Sequence, residues 1–232
     1  MTDSGMDSSR PLAIMGGAFD PVHYGHLRSA VELSEYLQLG ELRFVPSANP
    51  PHRPPHEASG EQRVKMLEAA ISELAWCSVD NRELKRQGPS WSVVTLEEIR
   101  DEIGERSLCM ILGMDAFLGL PAWHRWNELL EFAHIVVAYR PGSKPPTDGP
   151  LGKLLAAHGC SKPADLQHAP AGHILMREVT QLEISSSAIR DFLYREQDAR
   201  YLLPDAVLNI IEATGCYAPH APSLKEQGLH AK

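Results

Sequence analysis

The sequence has no apolar run approaching the roughly 20 residues that a membrane-spanning helix needs. Its first residues, MTDSGMDSSR, include no apolar core of the kind found in secretory signals. The four cysteines lie far apart and form no C-x-x-C pair, which argues against a disulfide framework and against a zinc site. We therefore expect a cytoplasmic protein with reduced cysteines, no membrane association and no resident metal ion.

Positive charge is also scarce. Lys and Arg total 22 against 30 Asp and Glu, giving a formal net charge of −8, and no basic block is present. Dedicated nucleic-acid binders concentrate positive charge, so DNA and RNA are not expected partners, although a local positive site could still bind a small anion. The hydrophobic content of 43% is ordinary for a globular chain and excludes disorder of the whole sequence.

Short apolar runs alternate along the chain with segments of helical spacing. The runs predict strands at 11–15, 42–45, 76–79, 108–112, 134–139 and 174–179. Helices are predicted from Tyr24 to a stop at Gly40, from about Glu61 with an apolar face reaching Leu74, and at 93–103, 151–157, 186–195 and 204–214. This alternation predicts an α/β class, with a doubly wound parallel sheet and helices on both faces. We expect a flexible extension at 1–10, one domain at 11–217 and a tail at 218–232.

The strongest chemical signal follows the first predicted strand and reads GGAFDPVHYGH, at 16–26. A glycine pair at a strand end lets the backbone approach a ligand closely, and the start of the next helix suits phosphate. His23 and His26 are three residues apart, so both can face one anion, donate hydrogen bonds to it or carry positive charge near neutral pH. The alternative is two ordinary surface or core histidines. The segment is neither a P-loop nor a G-x-G-x-x-G fingerprint.

A second candidate anion site reads ISSSAIR, at 184–190. Serine hydroxyls and the N–H groups of a helix start can hold phosphate oxygens, and Arg190 adds a fixed cation. The alternative is a plain helix cap by Ser185 or Ser186 with a solvated Arg190.

Both segments resemble those of a known family. The first matches all eight fixed positions of the G-G-x-F-D-P-x-H-x-G-H signature of the nucleotidyltransferase superfamily. The second is similar to the I-S-S-T-x-I-R motif of nicotinate-nucleotide adenylyltransferases, with Ser187 in place of threonine, and no K-M-S-K-S loop of a tRNA synthetase is present. The resemblance covers about 12–217 and implies a Rossmann-like nucleotidyltransferase fold. It implies that His23, His26 and Arg190 are catalytic. The ATP site it implies consists of Gly16, Gly17, Ala18, Phe19, His23, His26, Gly113, Asp115, Ile184, Ser186, Ser187 and Arg190.

Further segments resemble the parts of that family that hold the mononucleotide. They are PPHR at 50–53, GPSWS at 88–92, LPAWHRW at 120–126 and RPG at 140–142. The resemblance implies that Trp123 stacks on the pyridine ring, and Trp91 is interpreted as both core and pocket wall. For Asp115, in a G-x-D segment, it implies a ribose contact, and a helix cap is the other role open to it. The substrate-binding residues implied are His52, Arg53, Ser92, Trp123, His124 and Arg140.

The resemblance also implies a reaction. The phosphate of nicotinate mononucleotide attacks the α-phosphorus of ATP in line, giving deamido-NAD and pyrophosphate late in NAD biosynthesis, with Mg²⁺ carried by ATP. Asp20 could orient a metal-bound water or cap its loop. The alternatives are the amide substrate nicotinamide mononucleotide, a related transferase acting on phosphopantetheine or on an alcohol phosphate with CTP, and a catalytically silent nucleotide sensor. The protein is expected to be a monomer or a small homo-oligomer.

Overall fold

The computed structural model describes residues 7–48, 55–180 and 182–218. Within them one sheet has the strand order β3-β2-β1-β4-β5-β7-β6, and every pairing is parallel. The strands are β1 Leu12–Gly17, β2 Glu41–Pro46, β3 Cys77–Val79, β4 Leu108–Gly113, β5 His134–Tyr139, β6 Gly159–Cys160 and β7 Ile174–Glu178. The predicted doubly wound parallel sheet is confirmed.

Helices connect the strands and cover the sheet. They are α1 Tyr24–Leu37, α2 Gly60–Ile71, α3 Arg82–Lys85, α4 Ser92–Ile103, α5 Met114–Leu118, α6 Leu129–Phe132, α7 Gly149–His158, α8 Pro163–Gln167, α9 Ser186–Tyr194 and α10 Asp205–Thr214, with 3₁₀ turns at Leu120–Ala122 and Trp126–Glu128. None of the helices in this described part of the chain is long and apolar enough to cross a membrane.

Two hydrophobic cores lie on opposite faces of the sheet. Successive side chains of a strand point to opposite faces, and β1 shows this directly. Ala13 and Met15 pack in a core with α1, α2 and α10, whereas Leu12 and Ile14 pack in a core with α4 and α6. The predicted placement of helices on both faces is therefore confirmed.

Two predicted helix ends differ from the structure. The first helix ends at Leu37, and the left-handed residue that closes it is Gln38, with φ 53°, rather than Gly40. Gly40 is needed for another reason, because a Cβ there would collide with the backbone carbonyl of Asp7. Likewise α2 ends at Ile71, so Leu74 lies in the turn beyond it, where its N–H donates to the Ile71 carbonyl.

The predicted N-terminal extension and C-terminal tail are only partly described. Asp7 and Arg10 lie within the extension, and the Arg106 guanidinium donates to both of their backbone carbonyls. Residues 1–6 of the extension and 219–232 of the tail lie outside the described residues.

Candidate active site

The site lies where the direction of strand order reverses. From β1 the chain builds β2 and β3 on one side, then crosses to β4 and β5 on the other. In open α/β sheets, ligands bind outside the carboxyl ends of the strands at this kind of switch point. Here those ends are Gly16 and Gly17 of β1 and Gly113 of β4, and both Gly16 and Gly113 are exposed.

His23 and His26 form a stacked pair at the start of α1. Their ring centroids are 3.7 Å apart with an interplanar angle of 26°. The His23 backbone N–H donates to Nδ1 of His26 at 3.3 Å, which leaves the proton of a neutral His26 on Nε2. Gly25 gives the pair room, because a Cβ there would lie 3.0 Å from the His23 ring, which is closer than an ordinary contact.

Both histidines are neutral at pH 7 in this structure. Burial lowers the pKa of His23 to about 4. Burial, together with the neighbouring His23, lowers the pKa of His26 to about 3. The sequence suggested that these rings could carry positive charge near neutral pH, and burial prevents it. Nδ1 of His23 is buried with no hydrogen-bond partner among the described groups. A triphosphate beside the rings would raise both pKa values, because an anion favours the charged form.

The ring of Phe19 packs against the ring of His26. The Phe19 ring is buried and lies edge-on to His26, with centroids 5.1 Å apart, and edge-on to Phe44. Gly17 leaves room for it, since a Cβ there would lie 3.0 Å from the Phe19 ring. Phe19 was implied to bind ATP. The whole residue is only 1% exposed and its ring packs in the core, so its role in binding ATP stays a prediction.

The two candidate anion segments meet in space. Ser186 Oγ donates to the Pro21 carbonyl at 2.9 Å, and Arg190 Nη1 donates to the Asp20 carbonyl at 2.7 Å. Ser185 caps α9 by accepting from the Ala188 N–H at 3.2 Å, as the plain-cap alternative required. Arg190 is not free in solvent, however. Its side chain is only 22% exposed and pairs with Glu57 at 2.7 Å. Ser187 is exposed near the start of α9.

The carboxylate of Asp20 joins the loop after β1 to the segment that leads into α2 and to Tyr217. This carboxylate accepts the backbone N–H groups of Glu57 at 2.8 Å and Ala58 at 3.0 Å, and the Tyr217 hydroxyl at 2.5 Å. The residue is buried, and these donors occupy both oxygens. Of the two roles considered for Asp20, the structure supports the loop cap. Burial and the nearby Asp20 carboxylate raise the pKa of Tyr217, so its hydroxyl keeps its proton and donates.

Arg63 ties the loop after β1 to the loop after β2. It is 2% exposed, and its guanidinium donates to the carbonyls of Ala18 at 2.7 Å and Ser47 at 2.8 Å. Its Nε is buried without a partner among the described groups. Sequence reasoning missed Arg63, although an arginine on the apolar face of α2, next to Met66 and Leu67, was a visible signal.

Aromatic residues from two of the predicted mononucleotide segments lie together. The centroids of the Trp91 and His124 rings are 4.7 Å apart. Trp91 and Trp123 both pack against the core that lies between the sheet and helices α4 and α6. Trp91 is only partly buried against this core, which agrees with the core half of its interpretation, and its role as a pocket wall stays a prediction. Ser92 is the first residue of α4, immediately after Trp91. The roles of Ser92, Trp123 and His124 as ligands stay predictions.

The remaining predicted residues are more dispersed. Arg140 follows β5 and forms a weak, exposed ion pair with Glu183 at 3.8 Å, which brings it beside the 184–190 segment. Asp115 is exposed in the first turn of α5, whose cap residue is Gly113, so the helix-cap role considered for Asp115 is wrong. His52 and Arg53 lie outside the described residues.

No group of three or more His, Cys, Asp or Glu side chains within residues 7–48, 55–180 and 182–218 could hold a metal ion. All four cysteines are free thiols.

Comparison with known proteins identifies the family. The profile of the family described as cytidylyltransferase-like matches residues 14–192. A relative from Methylococcus capsulatus, named "Probable nicotinate-nucleotide adenylyltransferase", is 49% identical over 208 residues, covering 89% of this chain and 99% of the relative. A protein of the same name from Halorhodospira halophila is 46% identical over 208 residues, covering 90% and 95%. The chain belongs to the nicotinate-nucleotide adenylyltransferase family.

Solved structures agree with this membership at the level of the fold. This member of the nicotinate-nucleotide adenylyltransferase family is similar to the nicotinic acid mononucleotide adenylyltransferase of Plasmodium falciparum complexed with NaAD. The TM-score is 0.67 at 16% identity, covering 90% of this chain and 97% of that one. The same Plasmodium protein complexed with APC gives a TM-score of 0.66. At this level of identity the likeness shows the fold, which is the Rossmann-like nucleotidyltransferase fold.

Proposed function

We propose that the protein is an adenylyltransferase that joins nicotinate mononucleotide to the AMP part of ATP, forming deamido-NAD and pyrophosphate in NAD biosynthesis in the cytoplasm. The observation that carries this proposal is the meeting of the His23–His26 loop and the 184–190 segment at the switch point of the sheet. Membership of the family supports the substrate pair.

The chemistry needs no protein nucleophile. A phosphate oxygen of the mononucleotide attacks the α-phosphorus of ATP, and the bond from that phosphorus to the oxygen shared with the β-phosphate breaks, releasing pyrophosphate. Such a reaction depends on positioning and on stabilisation of the charge that develops. His26 has Nδ1 occupied by the His23 N–H, so Nε2–H is its donor for a phosphate oxygen. Arg190 and the serines at the start of α9 hold the β- and γ-phosphates.

Magnesium enters this proposal as a partner of ATP. When bound to the phosphates, Mg²⁺ neutralises part of their charge. The carboxylate of Asp20 is already used by the Glu57 and Ala58 N–H groups and by Tyr217. The chain's donors therefore suit an ion held chiefly by phosphate oxygens and water.

The mononucleotide side rests on the aromatic cluster. Trp123 stacks on the pyridine ring, with Trp91 and His124 as neighbouring walls. Ser90, in the GPSWS segment, accepts the Ala48 N–H at 3.2 Å and bonds to buried Glu83, which fixes this segment against the loop after β2. Ser92, Arg140, His52 and Arg53 complete the proposed site.

The deciding experiment is pyrophosphate release from ATP and Mg²⁺ with three acceptors in parallel: nicotinate mononucleotide, nicotinamide mononucleotide and phosphopantetheine. We expect release that depends on nicotinate mononucleotide and is much weaker with the other two. Preference for the amide or for phosphopantetheine would replace the substrate assignment. ATP binding without release in any arm would favour a silent nucleotide sensor.

A further inference from the structure

Arg190, the cation proposed to hold the triphosphate, already has an anionic partner. Its Nε donates to Oε1 of Glu57 at 2.7 Å, and the two side chains are 22% and 38% exposed. Glu57 comes from the segment that leads into α2, 133 residues away along the chain. No sequence motif considered above includes it.

Glu57 is fixed in this place from its own backbone. Its N–H donates to Oδ2 of Asp20 at 2.8 Å, and the next N–H, of Ala58, donates to Oδ1 at 3.0 Å. Arg190 is fixed independently, because Nη1 donates to the Asp20 carbonyl at 2.7 Å. Asp20 therefore positions both members of the Glu57–Arg190 ion pair, because its carboxylate holds the Glu57 backbone and its carbonyl holds the Arg190 guanidinium.

A carboxylate at this distance reduces the positive potential that Arg190 offers to an anion. A phosphate oxygen that takes the same guanidinium must compete with Glu57 for it or accept repulsion from it. This penalty applies to ATP before the reaction and equally to pyrophosphate after it.

We propose that Glu57 is a positioning residue that acts through Arg190, weakening the binding of both the triphosphate and pyrophosphate and so easing pyrophosphate release. The inference rests on the proposed function, since it takes Arg190 as the phosphate-binding cation. In this proposal Glu57 competes with the phosphates of ATP for Arg190 and has no direct effect on binding of the mononucleotide.

The variant Glu57→Gln tests the charge alone. Glutamine keeps an oxygen that accepts the Arg190 Nε–H, and the backbone N–H to Asp20 is unchanged, so the geometry is preserved while the negative charge is lost. For an ion pair this exposed we expect the Kd for ATP to fall about two- to fivefold. The inhibition constant for pyrophosphate falls by a similar factor, and the KM for nicotinate mononucleotide is unchanged. The shift diminishes at high salt.

Glu61→Gln is the matched control. It makes the same change in net charge at the start of α2, but Glu61 is 78% exposed and pairs with Lys65 rather than with Arg190. We expect its ATP Kd to equal that of the wild type. Equal shifts in both variants would reduce the effect to net charge and overturn the proposal.

A second variant protects the test from a folding defect. Glu57→Ala removes the charge and the acceptor but keeps the N–H that Asp20 holds, so it shifts the ATP Kd in the same direction. If the wild type releases pyrophosphate with nicotinate mononucleotide but neither folded variant binds ATP more tightly, only the role of Glu57 is lost. If the wild type neither binds ATP nor releases pyrophosphate, the proposed function itself is lost, and this inference with it.

Discussion

His23 and His26 show how a single residue type can be adapted to a site by burial. The pair is stacked and neutral, so each ring offers a hydrogen bond without carrying a fixed charge before substrate arrives. We expect His23→Ala or His26→Ala to reduce kcat by about 10²- to 10³-fold, the range seen when one donor to a developing charge is removed. Steady-state assays, with circular dichroism as the check on folding, measure this. Turnover near the wild-type rate in a folded variant contradicts the assigned role.

The same burial makes stability depend on pH. Each histidine has a folded pKa below the ordinary value of 6.5, so the unfolded chain binds protons first as the pH falls. Their contribution is therefore complete above about pH 6.5 and is lost progressively down to about pH 4 for His23 and about pH 3 for His26. For each ring, the free energy of unfolding falls by at most about 1.4 kcal/mol for every pH unit within this range.

His26→Asn isolates this effect. The Asn side-chain oxygen can still accept the His23 N–H, but it cannot be protonated in this range. Urea unfolding at pH 7 and pH 5 should show a smaller loss of stability for the variant than for the wild type. An equal loss in both proteins would mean that His26 titrates normally.

Residue-level roles that depend on distant partners could not be predicted from the sequence. The GGAFDP and ISSSAIR segments marked the site because they are local patterns. The cap at Asp20 needs Glu57, Ala58 and Tyr217, which lie 37, 38 and 197 residues away, and no local pattern joins them. The neutrality of His23 could not be predicted either, since it depends on how deeply the folded chain buries the ring.

At the scale of elements, Arg63 joins two loops that follow neighbouring strands. Its planar guanidinium reaches the carbonyls of Ala18 and Ser47 together, which a single ammonium group cannot reproduce. We expect Arg63→Lys to lower the free energy of unfolding by about 1–3 kcal/mol. We also expect it to raise the KM for both ATP and the mononucleotide, because one loop carries part of each proposed site.

Arg28→Lys is the control for this substitution. Arg28 lies on the surface of α1, is 47% exposed and pairs with Glu32 within one helix. It should change stability by less than about 0.5 kcal/mol. If Arg63→Lys is equally harmless, or raises only one KM, the two loops are not coupled through Arg63.

Length decides which elements the sequence could predict. Each of the predicted strands and helices is present, because an apolar run or a helical period marks every one of them, including the three-residue β3 inside the predicted run at 76–79. The two-residue β6 and the short helices α3, α5, α6 and α8, of four or five residues, were not predicted, since they are too short to show a period. The end of α1 was misjudged because Gln38, rather than a glycine, adopts the left-handed conformation.

At the scale of the whole molecule, Tyr217 links the segment after α10 to the loop after β1. Its hydroxyl donates to the buried Asp20 carboxylate at 2.5 Å. We expect Tyr217→Phe to cost about 1.5–3 kcal/mol, the range for a hydrogen bond to a charged group. Tyr201→Phe, at a position 87% exposed, is the control and should be nearly neutral. Thermal or urea unfolding compares the two, and equal stabilities would show that the contact with Asp20 adds nothing.

The separation of Tyr217 and Asp20 along the chain also has a consequence for synthesis. A ribosome adds about 5–20 residues per second, so the loop after β1 waits about 10 to 40 seconds for the hydroxyl that completes its cap. During that interval β1, β2 and β3 can already pair, whereas Arg190 and Tyr217 do not yet exist in the chain. The proposed phosphate site is thus among the last parts of the molecule to form. A nascent chain that stalls before residue 190 holds most of the sheet but lacks the ATP affinity proposed for Arg190.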